Sequence, residues 1–87
     1  RNELAKKAWV LGVIIEGKAK AYPLDDLISK KVLYDKIANQ KITIQYDVSK
    51  KYPKVTNEKG KKGLSVMVYW FAWQAFYPQT DLWGKAQ

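Results

Sequence analysis

The chain has 87 residues, the length of one small domain. It contains no cysteine and no histidine, which excludes disulfides, thiolate and imidazole metal sites, and every catalytic triad with a histidine base. Sixteen basic residues against eight acidic ones give a net charge of +8, a field that favours anionic partners. The apolar fraction of 47% is typical of a folding sequence and not of a disordered tail.

We divide the chain into an N-terminal leader segment, residues 1–8, and a single domain, residues 9–87. The apolar, β-rich run Trp9–Ile15 predicts a strand, and Glu16-Gly17 predicts a hairpin turn after it. The next five residues alternate between polar and apolar, which predicts a second strand. Its expected outward residues are Lys18 and Lys20, and its expected inward residues are Ala19 and Ala21.

The middle of the chain begins at Pro23, which ends the second strand because proline has no N–H to donate to a sheet. Leu24–Ser29 predicts one or two helical turns, with two aspartates near the start, where the helix dipole favours negative charge. Val32–Asp35 predicts a short strand, and Asn39-Gln40 a turn. Lys41–Asp47 predicts the clearest strand, because its apolar residues alternate strictly with polar ones.

The last third of the sequence predicts two strands and a helix. Tyr52–Thr56 and Leu64–Val68 flank the lysine- and glycine-rich segment Asn57–Gly63, which we interpret as a long hairpin connection. Tyr69–Tyr77 then changes period, and its aromatic residues recur at helical spacing until Pro78. The face of this helix that we expect to be apolar carries Trp70, Trp73 and Tyr77, with Phe76 at its edge.

These elements predict an α+β fold: a small antiparallel β-sheet, open or curled towards a barrel, with a C-terminal aromatic helix on one side. Apolar residues at alternating strand positions should face that helix and form the core. The expected core residues are Val13, Ile15, Ala19, Ala21, Ile42, Ile44, Tyr46, Val66, Val68, Trp70 and Trp73.

The lysines come in clusters, several of them at expected hairpin tips, and are not interspersed with acidic residues. A solvated surface that keeps the protein soluble is one interpretation of this pattern, and an electrostatic docking face is the other, which we favour. The near absence of arginine argues against base readout and bidentate phosphate binding. The expected partner-binding residues are Lys18, Lys20, Lys50, Lys51, Lys59, Lys61, Lys62 and Trp83.

The aromatic stretch Tyr69–Tyr77 has two further interpretations besides a core helix. An apolar patch that a partner covers is one, and a stacking platform for single-stranded nucleic acid is the other. Stacking platforms usually lie on exposed strands among basic residues, whereas this stretch has no charge at all. We therefore favour the core helix and keep a nucleic-acid-binding module of OB-like shape as the alternative function.

The acidic residues are not arranged for catalysis. Asp25-Asp26 is typical of a helix start, and Asp35 and Asp47 are expected at loops or strand ends. We therefore expect a protein that is not an enzyme and that has no cofactor and no metal. A small-ligand pocket near Tyr22, Tyr46 and Trp83 is a third hypothesis. The longest apolar runs are too short to span a bilayer, so no membrane span is expected.

Two stretches of the sequence resemble one bacterial, mostly exported family known as a domain of unknown function. Val10-Leu11-Gly12-Val13 with Gly17–Leu24 matches its V-x-G-V and G-x-A-x-A-Y-P-L strands, and Tyr69–Thr80 matches its closing W-x-x-W-x-x-x-x-P-x-T motif. The matches lie at the two ends of the chain, in the same order as in the family. Longer members carry C-P-x-C after a central strand, where this chain has Asp47–Lys50 and no cysteine.

The resemblance implies a shortened, cysteine-free member to which no metal or redox chemistry carries over. It also implies export to a periplasm-like or other extracytoplasmic compartment, which the initial Arg1 would suit. In size and charge the chain is similar to small assembly factors of exported redox complexes, such as that of the multihaem hydrazine dehydrogenase complex. We therefore expect a basic, non-catalytic assembly subunit that docks on a larger acidic protein complex, with a multihaem cytochrome enzyme as the specific case.

Overall fold

The computed structural model describes residues 3–59 and 64–84 of the chain. It confirms the α+β class, with strands as the dominant element and two short helices. The elements in chain order are β1 (Trp9–Ile15), β2 (Lys18–Pro23), α1 (Leu24–Lys30), β3 (Val32–Ile37), β4 (Gln40–Asp47), β5 (Tyr52–Asn57), β6 (Leu64–Tyr69), α2 (Trp70–Phe76) and β7 (Asp81–Leu82).

The strands form two sheets and not one. The first sheet has the order β6-β1-β2-β7, in which β1 pairs antiparallel with both neighbours and the two-residue β7 lies parallel to β2. The second sheet is the antiparallel meander β3-β4-β5. Within the described residues the sheets do not close into a barrel, so the open form of the predicted fold is the one that occurs.

Two tight hairpins build the strand pairs that follow each other in sequence. Glu16 and Gly17, with φ of 49° and 78°, connect β1 to β2, and Ala38 and Asn39, with φ of 51° and 63°, connect β3 to β4. Two positive φ values in succession are the signature of the type I′ turn, whose twist matches that of the strands. The first turn lies where we predicted it, and the second lies one residue earlier than predicted.

The first sheet packs against other elements on both faces, although its edge at β6 is left exposed. The second sheet and α1 pack on one face and bury an inter-sheet core, which includes Leu11, Val13, Tyr22, Leu27, Leu33, Ile42 and Ile44. The helix α2 packs on the other face and buries a helix-side core of Val10, Ala21, Trp70, Trp73 and Leu82.

Coverage of both faces corrects the predicted orientation of β2. Ala19 and Ala21 do face a core, on the α2 side. Lys20, which we expected in solvent, lies on the opposite side, between the sheets, where its ammonium group is 2.7 Å from a carboxylate oxygen of Asp35 on β3. The alternation was correct, but both faces of this strand are covered.

The connection from β5 to β6 also differs from the prediction. These strands do not form a hairpin, because β5 belongs to the second sheet and β6 to the first, where it pairs with β1. Val66, predicted in the core, lies on the α2 side of the edge strand β6 and is 48% exposed. Val13, Ile42 and Ile44 are buried, but in the inter-sheet core and not, as predicted, together with Trp70 and Trp73. In the described residues there is no helix long and apolar enough to cross a membrane.

The segment before β1 is tied to the start of α2. The backbone N–H of Trp70 donates to the carbonyl oxygen of Ala8 at 2.9 Å, and that of Phe71 donates to the carbonyl of Lys6 at 3.0 Å. Leu4 packs against the helix-side core. The described part of the expected leader segment is therefore joined to the fold by hydrogen bonds and by packing.

Candidate binding face on the second sheet

The second sheet has one buried face and one exposed face, and the exposed face is the candidate site. Alternate residues of β3, β4 and β5 point away from the inter-sheet core, and the strand register aligns them in cross-strand rows. We call this surface the outer face. It consists of Val32, Tyr34 and Lys36 on β3, Lys41, Thr43, Gln45 and Asp47 on β4, and Tyr52, Lys54 and Thr56 on β5.

Two tyrosines stand on the outer face, one on each edge strand. Tyr34 is 78% exposed and lies opposite Thr43, while Tyr52 is 50% exposed and lies opposite Asp47. Strand spacings of about 4.8 Å and a rise of about 3.4 Å per residue place their backbones roughly 17 Å apart. Large aromatic rings this exposed gain little from folding, so they are available for contact with another molecule.

Three lysines lie on the same face as these tyrosines. Lys36 and Lys41 are direct cross-strand neighbours, and Lys54 lies opposite Gln45. Like charges at directly opposed positions destabilise a sheet, so the pair of lysines costs stability in the isolated protein. An anionic group bound between them would remove this repulsion.

The acidic residue of the outer face, Asp47, is engaged in a turn. Its Oδ1 accepts a hydrogen bond from the Ser49 hydroxyl at 2.7 Å and another from the Lys50 backbone N–H at 3.0 Å. These hydrogen bonds, first that of Ser49, lower the pKa of the Asp47 carboxyl below its usual range. Asp47 therefore shapes the turn beside Tyr52, and Lys36, Lys41 and Lys54 outnumber it on this surface.

Four of the lysines predicted to bind a partner lie at two ends of the second sheet: Lys18, Lys50, Lys51 and Lys59. Lys50 and Lys51 are exposed in the turn after β4, and Lys18 is exposed at the hairpin tip at the other end of the second sheet. The length of β4, about 24 Å at a rise of 3.4 Å per residue, separates these ends. Lys59 follows β5 at the same end as Lys18, whereas Lys61 and Lys62 lie outside the described residues.

The structure places two of the predicted residues against the fold. Lys20 is bound to Asp35, so its charge is neutralised inside the molecule. Trp83 is partly buried against the inter-sheet core, its backbone N–H donates to the carbonyl of Ala21, and the ammonium group of Lys30 lies 5.6 Å from the centre of its ring. A cation at this distance is attracted to the indole ring.

Asp35 is the centre of a polar cluster between the sheets. Its Oδ2 accepts a hydrogen bond from the Tyr22 hydroxyl at 2.7 Å and binds the Lys20 ammonium at 2.7 Å. Burial by itself raises the pKa of Asp35, but the hydrogen bonds from Lys20 and Tyr22 outweigh this effect and lower it. Burial and the bond to Asp35 raise the pKa of Tyr22.

This cluster joins β2 to β3 and accounts for Tyr22 without a ligand. Tyr22 is fully buried and its hydroxyl has a partner, which weighs against the small-ligand pocket considered near Tyr22, Tyr46 and Trp83. Within residues 3–59 and 64–84, no group of three or more acidic side chains is close enough to hold a metal ion.

The motif residues that carry the family resemblance are divided between the two cores. Val10, Ala21, Trp70 and Trp73 lie in the helix-side core, whereas Val13 and Tyr22 lie in the inter-sheet core. Gly12 of the V-x-G-V motif contacts the ring of Trp73, the second tryptophan of the closing motif. The indole Nε1 of Trp73 donates to Oγ1 of Thr80, the last residue of that motif, at 2.8 Å, and all three residues are buried. Gly12, Trp73 and Thr80 therefore join the motifs at the two ends of the chain in one packing unit, which is separate from the outer face.

None of the tyrosines and lysines of the outer face was among the expected partner-binding residues. Lys41 was predicted only as part of the polar side of the strand Lys41–Asp47. The signal that could have found them is the alternation in β3 and β5, where Tyr34 and Lys36, and Tyr52 and Lys54, fall on the same side as the polar residues of β4. The sequence alone did not show that these three strands are neighbours.

Comparison with known proteins adds no relative. The chain matches no protein-family model, no curated protein and no solved structure.

Proposed function

We propose that this protein is a non-catalytic binding subunit that docks the outer face of its second sheet onto an acidic surface of a larger protein. The observation that carries the proposal is the opposed pair Lys36 and Lys41 beside the exposed Tyr34. The strand register fixes the backbone positions of these residues before any partner arrives. Such preorganisation lowers the entropy lost on binding.

The charges and the aromatic rings have different tasks in this proposal. The lysines accelerate encounter with an acidic partner and orient it, and salt weakens this effect. Tyr34 and Tyr52 supply apolar contact area with few rotatable bonds, as tyrosines do at many protein interfaces. The repulsion between Lys36 and Lys41 in the free protein is relieved when a carboxylate lies between them.

The resemblance to an exported family extends the proposal to the nature of the partner. The acidic partner would be a large exported redox complex, with a multihaem cytochrome enzyme as the specific case, and this chain would act as its assembly subunit. Fractionation of native cells would test the compartment. Recovery of the chain from the cytoplasmic fraction alone would contradict this extension and leave the binding face itself untouched.

The binding face is tested with two double variants that remove the same amount of positive charge. Lys36→Glu with Lys41→Glu reverses the opposed pair, and Lys6→Glu with Lys7→Glu, on the exposed segment before β1, is the matched control. The probe is a labelled oligoglutamate peptide, and the readout is fluorescence anisotropy at low and high salt.

We expect the Lys36/Lys41 variant to weaken peptide binding at least tenfold and the control to weaken it less than threefold, because a docking face depends on where the charges are. Equal losses in both variants would mean that only net charge matters, and the proposal would then be wrong. Circular dichroism of each variant shows whether it folds.

A second candidate function is binding of single-stranded nucleic acid on the same face, which the exposure of Tyr34 among lysines favours. The roughly 17 Å between Tyr34 and Tyr52 is unfavourable, because a stacking platform places its rings for successive bases. An oligothymidylate titration separates the two functions. If this candidate is right, Tyr34→Ala weakens oligonucleotide binding by about 1–3 kcal/mol and affects oligoglutamate binding less.

A further inference from the structure

Of the edge strands in the described structure, β6 has the fewest features that prevent pairing with a further strand. It pairs with β1 on one side, and no described strand pairs with its other side. The other edge strands carry features that discourage further pairing: β5 contains Pro53 and Lys54, β3 contains Lys36 and an inward-pointing aspartate, and β7 has only two residues. Neither proline nor a charged residue occurs in β6.

Apolar side chains are exposed along this edge. Leu64 is 75% exposed and Val66 is 48% exposed, and Phe76 of the adjacent helix α2 is 79% exposed. Together with Val68 and Tyr77 these residues line a groove of about 420 Å³ on the α2 side of the first sheet. We call these five residues the apolar edge. The sequence has no charged residue from position 64 to position 80.

We infer that the apolar edge is a self-association site, where β6 pairs antiparallel with β6 of a second copy of this chain. A twofold axis at Val66 would place this valine opposite its own counterpart and Leu64 opposite Val68 of the other copy. Every directly opposed pair on the α2 side would then be apolar, and the central pair of β-branched valines is of a kind that stabilises a sheet. The two four-stranded sheets would join into one continuous sheet.

Charge and pattern together select a second copy as the occupant. The chain carries +8, so two copies repel each other wherever their lysine-rich surfaces meet, and an uncharged face is where they approach at least cost. That same neutrality gives the apolar edge no electrostatic attraction for an acidic partner. The alternation Leu64, Val66, Val68 is matched by β6 itself, which makes the edge self-complementary.

This inference is independent of the proposed function, because the outer face belongs to the other sheet. The test is sedimentation velocity over a wide range of protein concentrations. The variant is Val66→Lys, which places a charge at the centre of the twofold contact, and the matched control is Gln45→Lys, which adds the same charge at an exposed position of β4.

We expect a concentration-dependent dimer whose dissociation constant rises at least tenfold in Val66→Lys and less than threefold in Gln45→Lys. A chain that remains monomeric at the highest concentration would overturn the inference, and so would equal losses in both variants. Amide hydrogen exchange in β6 of the wild-type protein, measured at two protein concentrations, tests the same contact without relying on the folding of a variant. Protection of β6 amides must increase with concentration, and unchanged protection would also overturn it.

Discussion

Gly12 and Trp73 are in contact because residue 12 has no side chain. A Cβ atom placed on Gly12 would lie 2.2 Å from Cζ3 and 2.3 Å from Cε3 of the Trp73 ring, far inside van der Waals distance. The ring is buried, and its indole nitrogen is fixed by Thr80, so it cannot retreat without breaking a hydrogen bond. The glycine in the middle of β1 therefore determines how closely α2 approaches the first sheet.

The first prediction is that Gly12→Ala destabilises the protein. Overpacking in a well-filled core costs about 1–3 kcal/mol, and we expect a loss in this range or above it because the new methyl group meets a rigid ring. The free energy of unfolding is measured by urea denaturation. A double-mutant cycle with Trp73→Leu identifies the cause, since Gly12→Ala must cost less once the ring is absent.

The second prediction concerns the hydrogen bond between Trp73 and Thr80. Thr80→Val keeps the shape of the side chain and removes the acceptor, which leaves a buried indole N–H without this partner. We expect a loss of about 1–3 kcal/mol in unfolding free energy. Thr43→Val on the outer face is the matched control and should change stability by less than about 0.5 kcal/mol. Equal effects of the two substitutions would contradict the assigned role of Thr80.

The third prediction is a loss of stability in acid that depends on Asp35. The pKa of its carboxyl is lower in the folded protein than in the unfolded chain, because Lys20 and Tyr22 bind the charged form. The resulting stabilisation is fully present above the unfolded pKa of about 3.9 and is lost as the pH falls through the lower folded value.

The measurement is the urea midpoint as a function of pH, in wild type and in Asp35→Asn. The variant should be less stable at neutral pH, because Lys20 loses its partner, and its midpoint should fall less steeply below about pH 4. Parallel pH profiles of the two proteins would show that Asp35 does not contribute to the acid dependence.

The fourth prediction is that Lys41→Glu makes the protein more stable and a weaker binder. The substitution replaces a like-charge pair by an opposite-charge pair with Lys36, which is worth about 0.2–1 kcal/mol on a sheet surface. Oligoglutamate affinity should fall in the same variant. Lys7→Glu, outside the sheet, is the control and should give no such gain in stability. If Lys41→Glu binds oligoglutamate as tightly as wild type, the lysine pair does not contribute to binding.

Most elements of this fold were predictable because their residues alternate or recur with a clear period. The strict alternation in β4 and the aromatic period of α2 both correspond to elements that the structure contains. Pairing between strands distant in sequence was not predictable, because the alternation within a strand does not identify its neighbours. The number of covered faces was not predictable either, because period two is the same whether one face or both faces of a strand are covered. Lys20 was misplaced towards solvent for this reason. Val66 was misplaced in the core because the pattern does not show that β6 is an edge strand.

The candidate site shows the same limit. Its residues come from three strands, and each strand by itself has an ordinary polar side. Lys36 and Lys41 become an opposed pair only because the turn at Ala38 and Asn39 fixes the register of β3 against β4. Since the sequence pattern placed that turn one residue later, the pair could not be identified before the register was known.

The position of β1 in the first sheet affects the rate of folding and the order in which strand pairs can form. Gly12 pairs with Ala21 on one side and with Val66 on the other, so β1, an inner strand of this sheet, joins one strand that is near in sequence and one that is distant. Pairings this distant in sequence lower the folding rate, because a long loop must close first. During synthesis β1 therefore has only one permanent neighbour until β6 has been made.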